Sequence, residues 1–317
     1  MKKSKIFARK IILVFKMGTF LKLRQILFLF GVLIKDYFTK STFDEFEKSR
    51  ICVIRRYLDT FYANCQFDSN VDSGDVPNII WVYWHQGIDQ MPEIVRICVD
   101  SLMKNKGINK VVLITKYNLA DYITIPKDIL KKFETGIISN AFFSDIIRVN
   151  LLSKYGGLWI DSTVYVAKEI DLSKICNNSF FTVKNDNLNN KITISDFRWT
   201  TFFMVSPKNM YVFGELKEMM YFYIRHHSKL IDYLLIDFLM DYIYRHDDKF
   251  SICLDRILPT NPMIHTFVNL LDMPFDMNVY DKILEDSFLF KLNYRLHPGQ
   301  KVGNRQTFFG YLKNNMR

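Results

Sequence analysis

The chain has 317 residues, 49% hydrophobic and 15% aromatic, with only 12 glycines and 8 prolines, which supplies one large core and argues against long disordered linkers. The formal charge is +10, but Lys2, Lys3, Lys5, Arg9, Lys10, Lys16, Lys22, Arg24 and Lys35 supply nine of those charges with no acid among residues 1–35; the near-neutral remainder (+1) argues against nucleic-acid binding by the globular body, since phosphate contacts dominate such binding. Five scattered cysteines (Cys52, Cys65, Cys98, Cys176, Cys253) form no C-x-x-C, which argues against a structural zinc site and suits thiols kept reduced in a cytoplasm.

Residues 1–40 alternate basic and apolar groups. Their longest apolar run, Ile26–Ile34, has nine residues, whereas a spanning helix needs about 20. No small-residue cleavage site follows it. A basic helix lying in an anionic membrane interface fits this pattern, each cation being worth about 1 kcal/mol there; an ordinary helix packed on the domain is the alternative. Residues 41–75 read as a helical lead-in. Thr42 and Glu45 have the spacing of a capping box, the helix runs to about Tyr62, and Asp68-Ser69-Asn70 with Asp72-Ser73-Gly74 forms a loop. A third segment, 76–317, holds the remaining elements.

That segment opens with a strand, 76–84, ending in His85-Gln86-Gly87. Trp81 reads as core. Trp84 and His85 read as pocket lining, because an aromatic ring can stack on a base and Gln86 can bond to a base or ribose. A helix over Pro92–Lys104 and a strand over Lys110–Thr115 complete a βαβ unit, so a parallel sheet with a right-handed crossover is expected. Asp128–Phe133 suggests a further short helix.

The stretch Ala141–Val166, AFFSDIIRVNLLSKYGGLWIDSTVYV, organises the chain. Ser144 and Asp145 look like a helix start, with Ile146, Ile147, Val149, Leu151 and Leu152 as its apolar face. Gly156-Gly157 ends that helix through positive φ. Leu158-Trp159-Ile160 is a short buried strand that delivers Asp161 to its end, where ligands bind in open α/β sheets. A buried acid there suits a divalent cation neutralising a departing diphosphate. Asp145 has a second reading as a helix-dipole partner. Arg148 can pair with Asp145 on one helical face or with a phosphate.

The residues SDIIR, YGGLW and IDST resemble, in order and spacing, the signature of the DXD-type sugar transferases of capsular polysaccharide synthesis. The resemblance covers residues 77–294. It implies an α/β fold of the GT-A type, with a Rossmann-like, mostly parallel sheet flanked by helices, over 76–317. It implies transfer of a sugar from a nucleoside diphosphate sugar to a cell-surface polysaccharide or lipid-linked glycan. Asp145 and the Trp84-His85-Gln86 turn would seat the nucleoside, with Gly156, Gly157, Trp159 and Thr163 also lining the donor site. Asp161 would hold the diphosphate and a Mg²⁺ or Mn²⁺ ion. The sequence departs from the family at Thr163, a neutral ligand where a second Asp is usual.

Farther along, Phe180–Val183 reads as a strand, 186–190 as a polar turn, and 196–205 as an apolar run in which Trp199 floors a sugar site or packs in the core. Met210–Arg225 and Ser228–Arg245 read as helices. Asp232-Tyr233 resembles a family D-Y near the acceptor, and Asp237 is a weaker candidate. Adjacent His226-His227 read as surface. A short helix is expected near Met263–Leu271. Lys291-Leu292-Asn293-Tyr294 resembles a family segment whose cation reaches the diphosphate, so Lys291 joins Asp161, Arg148 and Asp232 as a catalytic candidate. A peripheral enzyme on the cytoplasmic face of a membrane is the expected whole. A catalytically silent sugar-nucleotide or glycan binder, motivated by Thr163, is the rival reading. A membrane-attached nucleic-acid binder, motivated by charge alone, is the other.

Overall fold

The computed structural model describes residues 2–39, 43–66, 74–176, 179–184 and 192–315. The expected capping Thr42, the loop residues 68–73 and the turn at 186–190 lie outside the described residues. The chain starts with three helices, α1 (Lys2–Met17), α2 (Leu23–Phe38) and α3 (Asp44–Tyr62). The basic segment is thus two helices, broken at Gly18-Thr19. α2 buries Leu29, Leu33 and Asp36, one face at helical spacing. Asp36 Oδ2 accepts from Phe46 N–H at 2.9 Å, so a carboxylate on α2 caps the start of α3.

Next come β1 (Ile79–Tyr83), α4 (Glu93–Lys104), β2 (Lys110–Ile114), α5 (Leu119–Tyr122), α6 (Lys127–Glu134), α7 (Asn140–Tyr155), β3 (Gly157–Ile160), β4 (Val164–Val166), α8 (Leu172–Cys176), β5 (Phe181–Thr182) and β6 (Phe203–Ser206). After them run α9 (Tyr211–His226), α10 (Leu235–His246), α11 (Asp248–Asp255), α12 (Met277–Asp286), β7 (Leu289–Lys291), β8 (Lys301–Val302), β9 (Arg305–Gln306) and α13 (Phe308–Asn314). The main sheet has the order β2-β1-β3-β6-β5. β1 pairs in parallel with β2 and β3, while β6 runs antiparallel to both β3 and β5. Four of the five strands therefore point the same way: a mixed α/β fold with a mostly parallel sheet, flanked by helices.

Strand alternation assigns the two faces. Trp81, Tyr83, Trp159 and Met204 pack with α7, α9 and α10 on one side. Ile80, Val82, Leu158, Ile160, Phe203 and Val205 pack with α4 and β4 on the other. Both faces are covered, which is why these strands read as apolar runs and not as alternating ones. Trp81 is core, 1% exposed, and donates from Nε1 to Gly156 O at 2.8 Å.

Three expectations are corrected. The central helix starts at Asn140, not at Ser144, because the Ser139 side chain caps it by accepting from Phe142 N–H at 3.2 Å. Asp145 thus lies past the first turn and is no dipole partner. The helix expected over 228–245 covers only Leu235–His246. Its first part is held out of helix by local bonds: Ile231 N–H donates to Tyr223 Oη, and Leu234 N–H to Asp232 Oδ1. Near 263–271, turns and a 3₁₀ segment, Phe267–Leu270, stand where a helix was expected.

Candidate functional site

Strand parity puts Asp161 on the same face as Trp159, toward α7. Asp161 Oδ1 accepts from Arg148 Nη2 at 3.0 Å and from Trp159 Nε1 at 2.9 Å. Arg148 Nη1 lies 3.1 Å from Asp145 Oδ1, and its guanidinium carbon lies 5.0 Å from the Trp159 ring centroid. The antiparallel β4–β7 pair sets Lys291 opposite Val164. Lys291 Nζ thereby reaches Asp161 Oδ2 at 2.6 Å and Thr163 Oγ1 at 2.8 Å, 5.0 Å from the Phe202 ring centroid. Asp145, Arg148, Trp159, Asp161, Thr163 and Lys291 thus form one cluster, drawn from α7, β3, the β3–β4 turn and β7.

Its acids differ. Burial alone would raise the Asp161 carboxyl, but Lys291 and Arg148 together hold it down at about 2. Burial, reinforced by Asp161 and Asp237 against the pull of Arg148, pushes Asp145 up to about 7. Asp237 is pushed up to about 6 by burial, against a hydrogen bond from Trp199 Nε1 at 3.0 Å. Neighbouring carboxyls whose pKa values are driven apart divide the work of charge and of proton transfer.

Beside the cluster lies a cleft of about 660 Å³. Phe202 is the wall between them: its carbonyl accepts from Asp161 N–H at 2.9 Å, and its ring faces both Lys291 and His265. Thr200, Thr201, Thr266, Asn269, Trp199 and Asp237 also line the cleft. Hydroxyls, an amide and aromatic faces together match the hydroxyls and apolar faces of a sugar.

Other expected residues are placed differently. Gly156 and Gly157 do adopt positive φ, 67° and 90°. They stand at the start of β3, while Asp161 follows its end, about 13 Å away for four residues of strand. A side chain at Gly156 would strike Lys208 N at 2.6 Å, and one at Gly157 would strike Ile79 O at 2.6 Å. The pair serves backbone packing at the end of β3 remote from Asp161. Asp232 is ion-paired with Arg50 of α3, both side chains being 10% exposed or less, and is turned away from the Asp161 cluster's bonds. His85 Nδ1 is 2.8 Å from Tyr83 Oη, and burial, with Lys116, lowers its pKa. Trp84 meets the edge of Tyr294, three residues beyond Lys291. Gln86 is exposed. Phe202, His265 and Arg50 at the cleft carried no motif; only their place in the fold reveals them.

The cluster does not fit a divalent cation as arranged. Both Asp161 oxygens and the Thr163 hydroxyl are taken by nitrogen donors, and among the described residues no group of three or more His, Cys, Asp or Glu side chains is disposed to hold a metal.

The family model described as "Capsular polysaccharide synthesis protein" matches residues 32–312. No curated protein matches the chain. Eight solved chains do. One, a PaToxG glycosyltransferase, is 12% identical over 66% of this chain and 81% of that one, with a TM-score of 0.37, a likeness too slight to carry an argument.

Proposed function

The chain belongs to the capsular polysaccharide synthesis family, and from that premise we propose that it is a GT-A type glycosyltransferase. It moves a sugar from a nucleoside diphosphate sugar to a cell-surface polysaccharide or a lipid-linked glycan. One observation carries the reading: the Asp161–Lys291–Arg148 cluster at the carboxyl end of β3 shares the Phe202 wall with a cleft lined by hydroxyls and aromatic rings.

In this reading the donor's diphosphate meets the Lys291 ammonium. Arg148, only 4% exposed, fixes Asp161 and adds its charge from behind. As the bond from the anomeric carbon to the diphosphate oxygen breaks, its electron pair stays on that oxygen, and the cations stabilise the charge that develops. The acceptor hydroxyl attacks from the cleft and gives its proton to Asp237, whose elevated pKa suits a general base near neutrality.

The N-terminal helices support peripheral attachment to an anionic membrane. Ile12 and Phe15 of α1 and Leu23, Leu27, Phe28, Ile34 and Phe38 of α2 are 48–79% exposed, among exposed Lys5, Arg9, Lys16, Lys22 and Arg24. Among the described residues no helix is long and apolar enough to cross a membrane. Apolar groups set among cations describe an interfacial surface.

The test is a panel of nucleoside diphosphate sugars, scored by thermal shift and by release of nucleoside diphosphate. Stabilisation with turnover is expected for one donor. Stabilisation without turnover would indicate a silent sugar-nucleotide binder, and no response from the whole panel removes the transferase assignment.

A further inference from the structure

We propose that the ammonium of Lys291 stands where a transferase of this kind would use a divalent cation, so that this protein binds the donor's diphosphate without metal. The inference rests on the transferase reading and deepens it.

Lys291 Nζ lies 2.6 Å from Asp161 Oδ2 and 2.8 Å from Thr163 Oγ1. These are the first and third positions of the Asp-Ser-Thr turn, the two side chains that a metal-binding version of the turn would offer its ion. Backbone pairing brings the strand that carries the ammonium alongside the turn. Lys291 N–H donates to Ile264 O, and Leu292 N–H donates to Thr163 O, each at 2.8 Å. The strand carrying the cation is thus bonded to the turn carrying its partners.

The charge balance follows. Thr163 is neutral where an acid would help to hold a 2+ ion, and one positive charge, not two, sits between it and Asp161. The other Asp161 oxygen is already given to Arg148 and Trp159. A divalent ion entering between Asp161 and Thr163 would meet one acid among two organic cations, Asp145 being already paired with Arg148, and Mg²⁺ or Mn²⁺ gains too little from such a set to shed its water. An ammonium has three donors. Two are spent on Asp161 and Thr163, and the side chain remains 25% exposed beside Phe202, so the third is left to meet a phosphate oxygen at the cleft wall. When the anomeric carbon–oxygen bond breaks, this donor takes the role of the metal as counter-charge to the leaving diphosphate.

The experiment is calorimetric titration of the full chain with UDP, GDP, CDP and ADP, in EDTA and separately in Mn²⁺. One diphosphate is expected to bind with affinities agreeing within about twofold in the two conditions. Lys291→Gln should weaken that diphosphate by about tenfold or more in EDTA, while Lys291→Arg should retain most of the affinity. The corresponding nucleoside, lacking phosphates, should be insensitive to either change, which separates lost charge from lost folding. The double change Thr163→Asp with Lys291→Gln should convert binding to dependence on Mn²⁺. Binding of a diphosphate by the parent only in Mn²⁺ overturns the inference and leaves the transferase reading standing. No binding of any diphosphate in either condition overturns both.

Discussion

Trp159 and Asp161 are joined by a hydrogen bond from indole Nε1 to carboxylate Oδ1 at 2.9 Å, two residues apart on one face of the chain. The indole also lies under Arg148, so one side chain aligns both members of the ion pair. Trp159→Phe keeps an aromatic face, removes the donor and, because the indole is 1% exposed, leaves a cavity in place of its second ring. It should lower stability by about 2–4 kcal/mol and also reduce kcat/KM. An unchanged kcat/KM would remove Trp159 from the positioning of Asp161.

Asp161→Ala leaves two cations facing each other without their counter-charge and should cost about 3–5 kcal/mol together with all activity. The pH dependence follows from the depressed carboxyl. Its contribution is fully present above the ordinary value of 3.8 and is lost as pH falls through about 2. Denaturant unfolding should therefore show a gap between parent and variant that narrows as pH falls below about 4.

Asp237→Asn should have opposite effects on rate and stability. The raised pKa means that the ionised carboxyl costs stability, and that cost grows as pH rises from 3.8 to about 6. The variant should therefore exceed the parent above pH 6 by about 1–2 kcal/mol, after discounting for water in the cleft, and match it in acid. Transfer should fall by about 10²–10⁴-fold, and the acid limb of the rate profile near pH 6 should vanish. A variant that keeps the parent rate cannot have lost its base.

Arg50 and Asp232 tie α3 to the segment before α10, and Arg55 repeats the tie to buried Asp241 at 2.6 and 2.8 Å. Truncating either Arg50 or Asp232 to Ala should cost about 3–5 kcal/mol, and replacing both with apolar residues should recover most of it. Asp232→Asn, which keeps Arg50 at the cleft, should leave KM for the donor unchanged. A loss of kcat in Asp232→Asn at unchanged stability would instead restore Asp232 to the catalytic set.

Phe15→Glu combined with Leu27→Glu alters two exposed positions, 67% and 61% accessible, and should leave folding intact. Co-sedimentation with phosphatidylglycerol vesicles should fall by about tenfold or more, and parental binding should weaken with salt and be slight on phosphatidylcholine. Equal binding to both lipids would remove the electrostatic part of the argument.

What the sequence disclosed was local. The apolar runs at Ile79–Tyr83 and Gly157–Ile160 are strands buried on both faces, and Lys110–Ile114 is an edge strand buried mainly through Val112 and Ile114, patterns complete within a few residues. Asp161 was visible for the same reason, as an acid directly after such a run. The start of α7 was misread at Ser144 because the residue that turns back onto the helix is Ser139, five residues earlier, which only the geometry shows. The glycine pair was ambiguous because a ligand and a neighbouring backbone both demand a missing Cβ; the neighbouring backbone is that of Ser206–Lys208 at Gly156 and of Ile79 at Gly157. The Arg50–Asp232 tie spans 182 residues, a separation at which no spacing rule operates.

The pairing of β7 with β4 has a consequence for synthesis of the protein. Thr163 and its ammonium partner are 128 residues apart in the chain. A growing polypeptide therefore carries the two basic helices and the acid long before the strand that completes the site leaves the ribosome. A fragment ending short of Leu289 keeps Asp161 and Arg148 but lacks the Lys291 ammonium that the proposed mechanism sets against the leaving diphosphate, so under that proposal premature termination yields a product that transfers no sugar.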